Sequence, residues 1–417
     1  MQRNRSTGDN ATAKLAYVTT VPMTLELFLR GQIAFMKKRG IEVMAVSSPG
    51  PALERVAQRD GIMVCPIPMK RGMSPFSDLI SLIRLVRFFR RVRPDVVHSS
   101  TGKAGPLAMM AATLARVPIR FYSLRGIMVD RRSGFSKSVL KMLERISCLC
   151  ADRVLAVSRS VADVILRGGY CSADKLTVPA AGSSNGVDAI ERFNPGLIPP
   201  GTRERFRRRH NISSDALVIG FVGRLVAGKG IRELEAAWRS IRAQAGNVFL
   251  VTVGEQEAQD PVPEEVLNRL ARDERVIMLD YVPNEDMPLL YSMMDLVALP
   301  TYSEGLPNVP LEAAAMELPV VATRVTGCVD AIVDEVTGIL VSPGDWRALA
   351  QAVTRYMADA ELRRKHGQAG RERVLSLFRP GLVWEAVYRE YASALAQKGY
   401  NGSRWELHGA EIDEQAL

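Results

Sequence analysis

Apolar residues come in short runs along this chain, and the runs alternate with stretches of helical period. Lys14 to Thr19 predicts a first strand, Leu25 to Gly40 a helix closed by its glycine, and Ile41 to Ser48 a second strand. Helix and strand then alternate through 52–61, 63–67, 77–93 and 95–98. Asp152 to Ser158 is a further strand, and Pro195 to Gly201, rich in Pro and Gly, reads as a linker. A second series follows it. Ala216–Gly223, Val248–Val253, Val276–Asp280 and Asp295–Pro300 predict strands, with helices from Ile231 and around Pro310. Continuous apolar strands separated by helices are the pattern of a parallel sheet covered on both faces, so the fold class is α/β.

Composition narrows the class. The chain has 417 residues, enough for two or three domains, and 47% are hydrophobic. Cys65, Cys148, Cys150, Cys171 and Cys328 form no Cys-x-x-Cys pair or His/Cys cluster, which predicts reduced thiols in a cytoplasmic protein. Residues 1–13 and 397–417 are polar and read as tails; no secretory signal and no spanning apolar run is expected, Arg116 interrupting the best candidate. Charge is uneven. Residues 1–200 carry 30 Lys and Arg against 14 Asp and Glu, a net of +16, and the remainder carries 25 against 31. The basic half calls for an anionic partner: nucleic acid, a membrane surface or a phosphorylated substrate. Low aromatic content and the lack of any RNA- or DNA-reading motif argue against nucleic acid.

One corner concentrates chemistry. Pro300-Thr-Tyr-Ser-Glu304-Gly-Leu-Pro307-Asn308-Val-Pro310-Leu-Glu312 runs from the end of a strand into an Ala-rich helix, with Asn308 as its expected cap and Pro310 in its first turn. Glu304 and Glu312 offer acceptors for hydroxyls, and the N–H groups of the helix start offer donors for phosphate. Either glutamate alone fits a solvated acid or a residue favoured by the helix dipole. Together, at the carboxyl end of a strand, they fit a ligand site of an open α/β sheet. A second phosphate candidate is Gly223-Arg224-Leu-Val-Ala-Gly228-Lys229-Gly230. It matches the Walker pattern except at Gly230, where the hydroxyl that binds magnesium is missing. In the first half, His98 ends a strand and precedes Gly102-Lys103-Ala-Gly105, a further loop suited to phosphate. A lone histidine there is as consistent with a structural role as with a catalytic one.

The stretch Glu304 to Glu312 resembles the Glu-x7-Glu motif of retaining family-4 glycosyltransferases of the GT-B fold. Leu318-Pro-Val-Val-Ala-Thr323, Gly327 and Gly338-Ile-Leu-Val-Ser-Pro-Gly344-Asp345 continue that pattern, and Asn185-Gly-Val-Asp188 with Phe193 is similar to the family's interdomain junction. The resemblance covers residues 14–396. It implies two Rossmann-like doubly wound domains facing a central cleft. The acceptor domain is expected over 14–190, the nucleotide-sugar domain over 191–380 and a crossover helix over 381–396 that returns to the first domain. It implies that Arg224 and Lys229 clamp a nucleotide diphosphate, that Glu312 binds ribose and that Glu304 holds the sugar as the catalytic carboxylate. Gly305, Leu306, Asn308 and Val309 would touch sugar and phosphate, and Val282 the base. Capsule and lipid-linked-oligosaccharide members have a similar His…Lys-Ala-Gly stretch, which implies a catalytic place for His98 and an acceptor or phosphate contact for Lys103. This chain departs from the pattern in three places: no glycine in the loop 19–24, Ser100 for a second histidine, and Arg125 where many members have histidine. Arg125 is therefore expected to bind an anionic group.

The resulting expectation is a glycosyltransferase of bacterial surface polysaccharide synthesis. It would be retaining and metal-independent, with no cofactor, using a nucleotide-sugar donor, with uridine diphosphate as its nucleotide, and a polyprenyl-diphosphate-linked acceptor. Alternatives are a GT-B epimerase or hydrolase, a P-loop NTPase, and a non-catalytic nucleic-acid or lipid-binding protein. The helix 77–93 bears on location. Arg84, Arg87 and Arg91 share one side, and Leu79, Ile83, Val86 and Phe89 are expected to pack on the sheet. The arginine side, with Arg131, Arg132, Lys137, Lys141 and Arg145, predicts peripheral contact with an anionic membrane on the cytoplasmic face. The same arginines on an ordinary surface helix would simply face water.

Overall fold

The computed structural model describes residues 13–70, 72, 74–100, 102–126 and 134–399, with the backbone alone for 134–137. The chain divides into two compact units. The first takes the chain through Ala156, Val164–Pro179 and everything from Val383 on; the second takes Val157–Asp163 and Ala180–Leu382.

The first unit is built on seven strands: β1 (Ala13–Val18), β2 (Ile41–Ser47), β3 (Met63–Pro66), β4 (Val96–Ser100), β5 (Ile119–Leu124), β6 (Arg153–Ala156) and β7 (Leu176–Thr177). They are parallel and lie in the order β3-β2-β1-β4-β5-β6-β7. The order reverses between β1 and β4, the place where open sheets take ligands at their carboxyl ends. The helix Pro380–Gln397 enters this unit from Val383 and buries Val387, Tyr388, Tyr391 and Leu395 in the core with Leu15, Ile33, Val43 and Phe121. The expected return of the last helix to the first sheet is therefore seen.

The predicted helix 25–40 is two helices, Pro22–Phe28 and Gln32–Lys38. Gly31 breaks it with φ +80°, and a Cβ there would lie 2.4 Å from the Trp384 ring. The break makes room for the returning helix, a constraint that no local pattern carries. A second correction concerns the helix Pro75–Val92. Its buried side is Ser81, Leu85 and Phe89; Leu79 and Ile83, expected inside, face out. The loop after β1 also differs, because Pro22 opens a helix rather than sitting in a loop. Arg131 and Arg132 lie outside the described residues.

The second unit has six parallel strands: β8 (Leu217–Val222), β9 (Val248–Val253), β10 (Val276–Leu279), β11 (Leu296–Leu299), β12 (Val320–Thr323) and β13 (Gly338–Val341). Their order is β10-β9-β8-β11-β12-β13, reversing between β8 and β11. All but the edge strand β10, which is half-buried, are buried on both faces, as the sequence runs require. Among the described residues no helix is long and apolar enough to cross a membrane.

Gly31 and Gly40 separate strain from space. Both have positive φ, but nothing lies within 4 Å of a Cβ at Gly40. Gly40→Ala should cost about 1 kcal/mol, and Gly31→Ala about 1–3 kcal/mol more, because it also displaces Trp384. Urea unfolding of the two variants measures the difference; equal losses would contradict the close approach.

Candidate active site

The loops after β8 and β11 flank the reversal point of the second sheet. Beyond β8 the chain passes Gly223 and Arg224 and makes one turn of 3-10 helix, Ala227–Lys229. Gly230 then starts the helix Ile231–Gln244 with φ +74°. A Cβ on Gly230 would lie 2.0 Å from the Pro300 carbonyl oxygen at the end of β11, so the crossing admits only glycine. Hydrogen bonds stitch the two loops together. The Tyr302 N–H and the Thr301 hydroxyl both donate to the Gly228 carbonyl, at 3.0 and 3.2 Å. The Gly228 N–H donates to Asp260 Oδ2 at 2.9 Å.

This crossing sets Lys229 against Glu304. Their ion pair is close, with the side chains only 16% and 12% exposed. The loop holding Glu304 is fixed from below. The Ser158 hydroxyl donates to the Gly305 carbonyl at 2.8 Å, and the Gly327 N–H donates to Ser160 Oγ at 2.8 Å. Beside the pair, Cys328 is buried, and burial with the Glu304 charge pushes its thiol up, so it is inert. Arg224 reaches out to Glu257 in a second, more exposed ion pair.

The helix after the loop is Asn308–Ala315. Its cap is Pro307, with no side-chain cap bond, and Asn308 is the first helical residue rather than the expected cap. The N–H groups of Asn308 and Val309 thus start the helix directly, a favourable place for an anion. Glu312 lies one turn on and accepts a hydrogen bond from the Tyr291 hydroxyl at 3.0 Å. Burial raises its carboxyl above the usual range, opposed by that bond and by the Arg192 charge. Val282 follows the end of β10, the edge strand, and is half-buried next to the exposed Tyr281.

In the first unit the residues expected to act are differently placed. His98 lies on β4 with Nδ1 against the Tyr391 hydroxyl and Nε2 at 2.6 Å from Ser123 Oγ. It is 7% exposed. Burial and the Arg125 charge push the imidazole down to about 3, so the ring is neutral. Both ring nitrogens of His98 are engaged by the protein, and the ring ties the last helix to the sheet. Burial brings the Arg125 guanidinium down to about 10, with Tyr17 and Tyr391 opposing; it remains charged and lies 5.1 Å from the Phe28 ring centre. Lys103 pairs with Asp78 at 2.8 Å and also donates to the Gly72 carbonyl.

Both halves of the chain match known families. Residues 25–182 match the model of the glycosyl transferase 4-like domain, and residues 202–373 match that of glycosyl transferases group 1. The capsular polysaccharide biosynthesis glycosyltransferase CapM of Staphylococcus aureus is 35% identical over 384 residues, covering 92% of this chain and 98% of the relative. The chain belongs to the family-4 glycosyltransferases. This glycosyltransferase is also 26% identical, over 70% of its own length and 74% of the relative's, to an Escherichia coli enzyme. That relative is described as a UDP-Gal:alpha-D-GlcNAc-diphosphoundecaprenol alpha-1,3-galactosyltransferase. Among solved structures, a glycosyltransferase from Rickettsia africae aligns with TM-score 0.76 at 19% identity, covering 92% of this chain and 99% of that one. Anabaena HepE in complex with UDP aligns with TM-score 0.74 at 20% identity, covering 92% and 100%. The fold is GT-B, and the Walker reading of Gly223–Gly230 falls, since Gly230 is needed as glycine by the crossing.

The sequence did not reveal the partners of these residues. Glu257 on Arg224, Tyr291 on Glu312, and Ser158 and Ser160 under Gly305 and Gly327 are remote in the chain and carry no motif of their own.

The His98 environment makes a pH prediction. The folded pKa lies below the unfolded one, so the unfolded state takes up a proton first as pH falls below about 6.5. Wild type should therefore lose stability relative to His98→Gln by up to about 1.4 kcal/mol per pH unit as pH drops from 6 to 4. Denaturant unfolding at several pH values measures this; parallel curves would contradict a buried neutral ring.

Proposed function

We propose that this glycosyltransferase moves a sugar from a uridine-diphosphate donor to a saccharide carried on a polyprenyl diphosphate, in bacterial surface-polysaccharide synthesis. The transfer retains the anomeric configuration and needs no metal. The observation that carries the donor side is the Lys229–Glu304 pair at the carboxyl ends of the strands flanking the reversal. A diphosphate carries more charge than one carboxylate and draws Lys229 onto itself. Glu304, released, turns to the sugar hydroxyls, so one event binds the phosphate and frees the catalytic carboxylate. Arg224 exchanges Glu257 for the same diphosphate.

The two cations stabilise the charge that grows on the leaving phosphate, the task a metal performs in other transferases. The N–H groups of Gly305, Leu306, Asn308 and Val309 complete the cradle, Glu312 accepts from the ribose hydroxyls, and Val282 lies against the base. Front-face attack, with the leaving phosphate taking the acceptor proton, gives retention without a separate base.

The acceptor class is supported by relatives. The Escherichia coli relative and a Campylobacter jejuni one, 23% identical over 70% of this chain, are both described as acting on diphospho-undecaprenol saccharides. The Staphylococcus aureus relative is described in capsular polysaccharide biosynthesis. On the acceptor side Lys103 and Arg125 are the cations that meet the acceptor diphosphate, and the enzyme works on the cytoplasmic face of the membrane.

Glu304→Gln tests the reading. Transfer from UDP-sugars to a synthetic polyprenyl-diphosphate saccharide should fall at least a hundredfold, a loss of about 3 kcal/mol of transition-state stabilisation. UDP binding, measured by calorimetry, should be unchanged or tighter, because Lys229 no longer has an internal partner. Loss of UDP binding together with activity would make Glu304 a structural residue and overturn the exchange. Release of UDP from the donor at the same rate without acceptor would overturn the transferase half.

A further inference from the structure

The helix Pro75–Val92 carries on its outer side a surface that folding and catalysis leave unused. Phe76 is 87% exposed, Leu79 55%, Ile80 51% and Ile83 41%. The spacing i, i+3, i+4, i+7 places all four on one face. Arg84, Arg87, Arg90 and Arg91 continue along that same face and are exposed, Arg90 also donating to the Leu114 carbonyl at 3.3 Å. The only acid of the helix, Asp78, is turned to Lys103 at 2.8 Å. The opposite side, Ser81, Leu85 and Phe89, is buried, with the Ser81 hydroxyl donating to the Pro68 carbonyl at 2.7 Å. The outer face is therefore apolar over two turns and cationic over the next two.

Water does not account for this face. Single exposed apolar side chains are ordinary, but a contiguous stripe marks a binding surface. Arginines in the last turn favour the helix dipole, which explains Arg90 and Arg91. It explains neither Arg84 nor a phenylalanine that is almost fully exposed. Apolar and cationic groups within one helix face match the two chemistries that meet at a bilayer surface, acyl chain and phosphate.

We infer that the outer face of Pro75–Val92 docks this enzyme on an anionic phospholipid bilayer. Phe76, Leu79, Ile80 and Ile83 enter the headgroup–acyl boundary, and Arg84, Arg87, Arg90 and Arg91 bind lipid phosphates. The charge of the first half, +16 over residues 1–200, attracts the same surface at longer range. The inference rests on the proposed lipid-linked acceptor for its purpose, since docking brings the enzyme to where such an acceptor lies. The binding itself involves no sugar and is measured without one.

The test is co-sedimentation of the full chain with vesicles of phosphatidylglycerol and phosphatidylcholine, and of phosphatidylcholine alone, at 50 mM and 500 mM salt. Two variants are compared with wild type: Phe76→Ser with Ile80→Ser, and Arg84→Gln with Arg87→Gln and Arg91→Gln. All five positions are exposed, so both variants should keep the wild-type melting temperature. Wild type should bind anionic vesicles at least tenfold more tightly than neutral ones at low salt. The arginine variant should lose at least tenfold, and the serine variant should lose the binding that survives high salt. Both should still transfer sugar to a short water-soluble acceptor, so a failed transfer assay with intact vesicle binding counts against the proposed reaction and not against docking. Wild type that ignores anionic vesicles, or variants that bind like wild type, would overturn the inference. So would a wild-type dimer in solution that Phe76→Ser with Ile80→Ser converts to monomer, because a second copy would then cover the face.

Discussion

The second unit depends on a backbone crossing. The chain leaving β8 passes under the end of β11 so closely that Gly230 has no room for a Cβ against the Pro300 carbonyl. Hydrogen bonds from Thr301 and Tyr302 to the Gly228 carbonyl hold the crossing, and Asp260 holds it from the other side. The result is mechanical and electrical at once. Lys229 emerges beside Glu304, at the point where the strand order reverses and where the helix Asn308–Ala315 begins. A cation, a carboxylate and a helix start converge because three pieces of backbone are locked to one another, not because any one of them has a special sequence. The pair is sheltered from water and charge-balanced within the protein, so removing one partner alone strands the other's charge. In the proposed reading a diphosphate, with its greater charge, takes the place of the carboxylate on Lys229.

The first unit is organised by a different contact. Its core is completed by residues from Val383 on, the last described helix, whose Tyr391 meets His98 and packs edge-on to Phe121. His98 is kept neutral by burial and the nearby Arg125. The charged groups of this unit are similarly engaged inside it, Lys103 with Asp78 and Arg125 among Phe28, Tyr17 and Tyr391. The outward arginines of Pro75–Val92 are the contrast, set on a face with exposed apolar neighbours.

Much of this was legible beforehand, for reasons that can be stated. Doubly buried strands leave continuous apolar runs, so both sheets could be read from the chain. Arg224, Lys229 and Glu304 follow strand ends and Glu312 lies in the helix just beyond, where α/β folds take their ligands, so they could be picked out as candidates. What stayed hidden were the particular side-chain contacts made across long chain distance. Gly31 breaks a helix because Trp384 needs the space. Tyr391 reaches His98 from 293 residues away. The helix Pro75–Val92 shows two apolar sides to a periodicity count, and only the packed structure tells that Leu85 and Phe89 face the core while Leu79 and Ile83 do not.

The most direct measurement is the melting temperature of wild type and Lys229→Met with UDP, GDP, dTDP and ATP, each with magnesium and with EDTA. Ligands that bind the native state raise its melting point. UDP should stabilise wild type equally in magnesium and EDTA, and Lys229→Met should lose most of the shift while melting within a few degrees of wild type. Stabilisation by ATP only with magnesium, or a UDP shift unchanged in Lys229→Met, would contradict the assignment of this crossing as the diphosphate site.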